Sequence, residues 1–190
     1  GLGTGESQIY TFKVTNPDST RDLALEKLVF SVATSSNTQA SYTLYGDGVA
    51  ANTSVATAAG STGSQTVTIT FAVTSNAKIV PAGSSKTYVL KAVVTAGAAS
   101  TNRSSTVALL ADDQYPSLAN LMGNATQAGA GATGDSTTAA GNIVWTPFST
   151  TTPAADSASE SNLDWTNGYG LPGFPSPGQN LDNQTYTSAN

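Results

Sequence analysis

Gln65-Thr66-Val67-Thr68-Ile69-Thr70-Phe71-Ala72-Val73 is the stretch whose reading decides the fold. From Val67 on, odd positions are apolar and even positions small or hydroxylic, a period of two that a pleated strand converts into one buried and one wet face. Val67, Ile69, Phe71 and Val73 are therefore expected to face a core. Lys86-Thr87-Tyr88-Val89-Leu90-Lys91-Ala92-Val93-Val94 repeats the pattern, with Tyr88, Leu90, Ala92 and Val94 inward and both lysines left in water. Between the two, Ile79-Val80-Pro81-Ala82-Gly83-Ser84-Ser85 places Pro at a corner and Gly two residues on, the chemistry of a turn. The pair forms either a hairpin or a corner between two sheets.

Working outward, Ile9–Val14 alternates with Tyr10, Phe12 and Val14 on one face, and Asn16-Pro17-Asp18-Ser19 ends it. From Leu23 to Val32 the phase changes: Leu23 and Leu25 are odd, whereas Leu28, Phe30 and Val32 are even. A bulge or bend near Glu26-Lys27 reconciles the halves, with a helical turn over 22–27 as the alternative. Weaker strands are expected at Ser41–Tyr45, Ser105–Ala111 and Asn142–Phe148, and only Ser117–Met122 has a helical look. Residues 123–141 are nearly free of large side chains, so burial cannot offset their ordering entropy and a long surface loop is expected. Residues 150–190 mix Pro153, Pro172, Pro175 and Pro177 with Trp165, Tyr169, Phe174 and Tyr186. An irregular tail packed on the domain follows, because exposed aromatics would be a liability. The domain then spans 1–149 and the tail 150–190.

The 190 residues include no Cys and no His, which removes disulfides, thiolate nucleophiles, His-containing triads and the usual zinc sites. Ser (23) and Thr (29) outnumber all charged residues together, 7 basic and 12 acidic, so the expected surface is neutral and hydroxyl-covered. With seven basic residues and a net charge of −5, nothing supplies a cationic stripe for phosphates, and nucleic acid is not an expected partner. Apolar runs are a few residues long, short of the roughly 20 that span a bilayer. The opening Gly1-Leu2-Gly3-Thr4-Gly5, without an initiating Met, is expected of a processed chain or of one segment of a longer polypeptide.

Carboxylates alone remain for acid–base work: Asp112-Asp113, Asp47, Asp156, Glu160 and Asp164. A glycosidase would hold two of them roughly 5–9.5 Å apart. Acids in turns are most often simply solvated, so no catalytic residue and no metal ligand is assigned and the chain is expected not to be an enzyme. No cofactor is expected; Ca²⁺ at Asp112-Asp113 with Asp47 or Asp135 is the one candidate, though no Asp-x-Asp-x-Asp-Gly loop is present. Trp145, Trp165 and Tyr169 are the ligand-binding candidates, since a flat aromatic stacks on a sugar ring; core or lid packing is the commoner use of such residues. Asn52, Asn102, Asn124 and Asn183 each open an Asn-x-Ser/Thr glycosylation signal. Lys13, Lys27 and Lys91 lie in or beside strands, and one pointing inward beside an Asn and a carboxylate would suit an intramolecular isopeptide bond.

The run Ile79-Val80-Pro81-Ala82-Gly83-Ser84-Ser85-Lys86-Thr87-Tyr88 resembles the corner of immunoglobulin-like modules in bacterial cell-surface proteins. Leu25–Phe30, Gly141-Asn142-Ile143-Val144-Trp145 and Asp164-Trp165-Thr166-Asn167-Gly168-Tyr169 resemble such modules in surface-layer-like, pilus and filament proteins. The resemblance implies a secreted, cell-surface β-sandwich with no catalytic residues to transfer. The expectation is an all-β, immunoglobulin-like sandwich of roughly seven to nine strands. Its expected role is structural: self-association in a filament, pilus or surface layer through strand edges or a donor strand, drawn from Leu2–Val14 or Leu181–Tyr186. The alternative is a carbohydrate-binding or adhesion module whose partners are glycans or host surfaces.

Overall fold

The computed structural model describes residues 1–52, 63–72, 74–97, 102–112, 141–147, 166–176 and 178–188. Among them the alternating stretches form two antiparallel sheets packed face to face. The smaller joins β1 (Gly5–Thr15), β7 (Ser85–Ala96), β3 (Asn37–Gly46) and β4 (Val49–Ala50) in the order β1-β7-β3-β4. The larger is built on β2 (Leu23–Ser35), with β5 (Ser64–Thr70) and β6 (Ile79–Val80) along one side. Along the other side run β8 (Arg103–Leu109) and β9 (Ile143–Thr146). Outside these lie β11 (Gln184–Ser188) on β8 and β10 (Thr166–Asn167) on β9.

Three of the four lines of this sheet are single strands interrupted by excursions. The chain leaves after Leu109 and re-enters at Ile143 in the same ladder, where Val29 bridges the gap: Leu110 N–H donates to its carbonyl at 2.9 Å and its own N–H donates to Asn142 O at 2.8 Å. Phe71 N–H donates to Glu26 O at 2.9 Å and carries the β5 line toward β6 in the same way. Residues 168–183 leave and rejoin the β10/β11 line. An excursion that begins and ends at neighbouring ladder positions changes length without disturbing the core.

Side-chain period fills the space between the sheets as expected. Val67, Ile69 and Phe71 of the β5 line and Tyr88, Leu90, Ala92 and Val94 of β7 are buried, while Val73 lies outside the described residues. Phe12 stacks on Tyr88 at 5.2 Å between ring centroids, and Tyr10 meets Phe30 edge-on at 5.8 Å. The phase change in β2 is a bulge: its register against β9 shifts between Leu25 and Lys27. A second shift, between Gln8 and Tyr10 of β1, was not visible as a change of phase; it turns both Ile9 and Tyr10 inward.

The stretch at 79–85 is a corner, since β5 and β7 belong to different sheets. It turns through Gly83, whose φ of 64° is open to glycine at no steric cost and whose N–H donates to Asp18 O at 2.7 Å. Within residues 150–190, β10 and β11 pair with β9 and β8 and so belong to the larger sheet. β1 pairs with β7 in the smaller sheet, whereas β2 lies in the larger one. Ser117–Met122 and all but Gly141 of the 123–141 loop lie outside the described residues.

Tyr88 makes the core pH-sensitive at its alkaline end. It is fully buried, its hydroxyl donates to Ala77 O at 2.7 Å, and burial, helped by Asp47, pushes its phenol well above the ordinary 10. The unfolded phenol ionises near pH 10 while the folded one holds its proton, so this contribution is complete below pH 10 and is lost as pH rises beyond it. In denaturant titrations across about pH 10, Tyr88→Phe should lose less stability with rising pH than the parent. An equal slope in that variant would rule Tyr88 out as the cause.

Candidate functional site

The most concentrated chemistry gathers where the β8/β9 line is broken. Asp112, 5% exposed, accepts backbone N–H bonds from Asn142 at 2.5 Å, Ile143 at 3.0 Å and Gly168 at 2.8 Å. Asn142 returns a bond from its side-chain amide to Ala111 O at 2.7 Å. One carboxylate thus ties the exit of the 110–142 excursion to its re-entry and to the start of the next excursion. Lys27, also 5% exposed, has its ammonium pKa pulled down by burial and partly restored by the charge of Asp112.

Gly168 lets the backbone come this close. A Cβ there would lie 2.8 Å from Ile143 Cβ and 3.1 Å from Asp112 Oδ2. Gly168→Ala is therefore expected to lower stability by about 1–3 kcal/mol, the range for overpacking a tight site. Thermal unfolding within a degree of the parent would disprove the tight fit.

Beside this clamp a groove of about 890 Å³ opens between the sheets, flanked by Phe12, Val14, Leu25, Leu28, Trp145 and Phe174 and closed at one end by residues 13–18. Its lining is mostly hydrocarbon. Asp18, at the rim, has its carboxyl lowered to about 2, first by the Thr20 hydroxyl at 2.7 Å and then by the Thr20 and Arg21 backbone and the Arg21 charge. Such an acid stays ionised at neutral pH and is unsuited to proton transfer there. The groove accommodates aliphatic or aromatic groups, and among its described lining residues Asp18 is the one acid.

The aromatic candidates meet through one residue. Half-buried Trp145 pairs with Leu25 and Thr166 and donates its indole N–H to Asn167 O at 2.9 Å. Tyr169, 38% exposed, donates its backbone N–H to Asn167 Oδ1 at 3.0 Å. Trp145 is thus a wall of the groove with its polar atom engaged, Tyr169 is the exposed ring, and Trp165 lies outside the described residues. Asn167-Gly168, the pivot of both this corner and the clamp, carried a turn signal that pattern reading passed over.

Of the glycosylation candidates, Asn102 and Asn183 are exposed and Asn124 lies outside the described residues. Asn52 is 7% exposed, its Oδ1 accepts from Leu44 N–H at 2.8 Å, and its Nδ2 donates to Tyr42 O at 3.3 Å. Among the described residues no three acids gather into a cluster. Asp47 accepts from Thr87 N–H at 2.9 Å in the smaller sheet, away from the Asp112 clamp in the larger, and Asp113, Asp135, Asp156, Glu160 and Asp164 lie outside the described residues. Three backbone donors already crowd the Asp112 carboxylate, leaving it little to offer a calcium ion. Lys13 is exposed, and Lys91 pairs with Glu6 at 3.1 Å on the outer face. No helix among the described residues is long and apolar enough to cross a membrane.

Fold and site together define a two-sheet antiparallel β-sandwich whose larger sheet is made of interrupted strands held closed by a buried carboxylate. No protein-family model matches the chain, and no curated protein or solved structure matches it.

Proposed function

We propose that the chain is a structural, non-catalytic module of an extracellular surface assembly that packs against copies of itself. The observation that carries this reading is the outer face of the larger sheet. Ser64, Ala33, Thr106 and Thr185 stand in one cross-strand row and Ser35, Ser104 and Thr187 in the next. These rows carry no charge, so two such faces or edges approach without repulsion and with hydroxyls ready to pair. The immunoglobulin-like description enters this reading for its two-sheet architecture only.

Association through an exchanged terminal strand is the less favoured route. Leu2–Val14 and Leu181–Tyr186 are engaged within their own domain: β1 pairs with β7 along its length, Leu2 is fully buried, and β11 pairs with β8. Leu2 N–H also donates to Thr187 O at 3.1 Å, which sets the two terminal segments side by side. A load applied across residues 2 and 187 therefore peels strands bond by bond, and the role that fits is lateral packing more than tension-bearing. Electron micrographs of the native material should show ordered filaments or lattices; dispersed single particles at high concentration would sink the proposal.

The carbohydrate-binding alternative keeps one favourable observation, the exposed Tyr169. Glycan-array binding that disappears in Tyr169→Ala with folding intact would promote it.

A further inference from the structure

Edges of β-sheets invite another strand unless something blocks them, and three edges of this sandwich are blocked. On β1, the Gln184 side-chain amide imitates a neighbouring strand: its Oε1 accepts from Thr11 N–H at 2.9 Å while its Nε2 donates to Thr11 O at 2.5 Å. On β3 the Asn52 amide does the same with Leu44 N–H and Tyr42 O. Both strands also carry a register shift, between Gln8 and Tyr10 and between Ala40 and Thr43. The β11 edge is covered at Thr187 O by Leu2 N–H.

The fourth edge, β5, differs. Thr34 N–H donates to Gly63 O at 3.0 Å and Phe71 N–H to Glu26 O at 2.9 Å, which fixes the phase of the β2–β5 ladder. Odd-numbered residues of β5 turn their peptide groups toward β2; the even-numbered Ser64, Thr66, Thr68 and Thr70 turn theirs outward. Among the described residues nothing pairs with those outward groups. The sequence Ser64-Gln65-Thr66-Val67-Thr68-Ile69-Thr70 holds no charge, no Pro and no Gly, and its pairing with β2 shows no register shift. It is a neutral, β-prone strand without a bulge, the kind that adds to another.

We infer that β5 is the self-association edge, pairing antiparallel with β5 of a second copy about a two-fold axis at Val67. Ser64 then faces Thr70 and Thr66 faces Thr68, giving roughly eight N–H···O bonds and one sheet continuous across both copies. Antiparallel self-pairing places no like charges opposite one another, and each copy supplies the same patch. The inference rests on the self-packing proposal and names its contact.

The test is sedimentation velocity of the full chain over a concentration series, with thermal unfolding measured alongside. Thr68→Pro removes an outward N–H without touching the β2 ladder, and proline is tolerated on edge strands. The double variant Thr66→Lys/Thr68→Lys, at two exposed side chains, sets like charges opposite one another. The parent is expected to dimerise with rising concentration, and each variant to do so roughly ten- to hundredfold more weakly at an unchanged unfolding temperature. Should Thr68→Pro fail to fold, the lysine variant decides. Dimers equally tight in the variants would overturn the β5 assignment and leave self-packing standing. A parent that stays monomeric overturns the edge; native lattices seen alongside it would preserve self-packing, and their absence would remove both.

Discussion

Replacing Asp112 by alanine is expected to lower the stability of the domain by roughly 3–5 kcal/mol, a loss of about 10–15 °C in unfolding temperature for a chain of this size. The carboxylate is buried and accepts three backbone N–H bonds, from Asn142, Ile143 and Gly168, which in the variant have neither it nor ready access to water. Each unpaired buried donor costs about 1–3 kcal/mol. The variant also withdraws the negative charge that partly offsets the desolvation of Lys27. Since the folded-state pKa of that lysine lies below its ordinary 10.5, the unfolded chain binds more protons just below that value, and stability there rises with pH. The deficit of Asp112→Ala should therefore shrink as pH approaches 10.5. Asp112→Asn, which keeps one accepting oxygen, should recover part of the loss. A calorimetric shift of under about 3 °C for the alanine variant would show that the clamp does not hold the split strand.

Breaking the Glu26–Lys78 pair from one side should cost a similar roughly 3–5 kcal/mol, because the surviving charge is left in the interior. Glu26 sits at the β2 bulge and Lys78 in the 3-10 turn Asn76–Lys78, with 3.5 Å between Lys78 Nζ and Glu26 Oε2 and side chains 4% and 10% exposed. The pair fastens the 71–78 excursion to the central strand. Glu26→Leu combined with Lys78→Met removes both charges and fills similar volume, so it should fall within about 1.5 kcal/mol of the parent. Chemical denaturation of the two single variants and the double variant closes the cycle. If the single and double changes cost alike, packing at these positions matters and the ion pair does not.

Legibility in the sequence followed the range of the interaction. The inward faces of β5 and β7 and the bulge near Glu26-Lys27 could be predicted because each is a relation between residues a few positions apart. The β1 bulge escaped because Ile9 and Tyr10 are both large and apolar, so no phase change marks it. The C-terminal residues were read as a tail because β10 has two residues and β11 five, mostly polar, and neither alternates long enough to announce a strand. Of the site, Trp145 and Tyr169 stand out in the sequence as aromatics, but Asn167, which joins them, and Gln184, which pairs with the β1 edge, do not. Their roles exist only against backbone groups far away in the chain.

Taken alone, the sequence determined the chemistry available and the secondary structure: with no Cys or His and a quarter of the chain hydroxylic, alternation made strands and a neutral surface. Only the tertiary structure decided which strands are neighbours, that Asp112 closes a broken strand, and that β1, β3 and β11 have edge groups engaged while the outward groups of β5 meet no partner among the described residues. Alternation records which face of a strand is buried; it says nothing about which strand lies alongside, because backbone hydrogen bonds are the same for every residue. Partner choice comes from packing across the whole core.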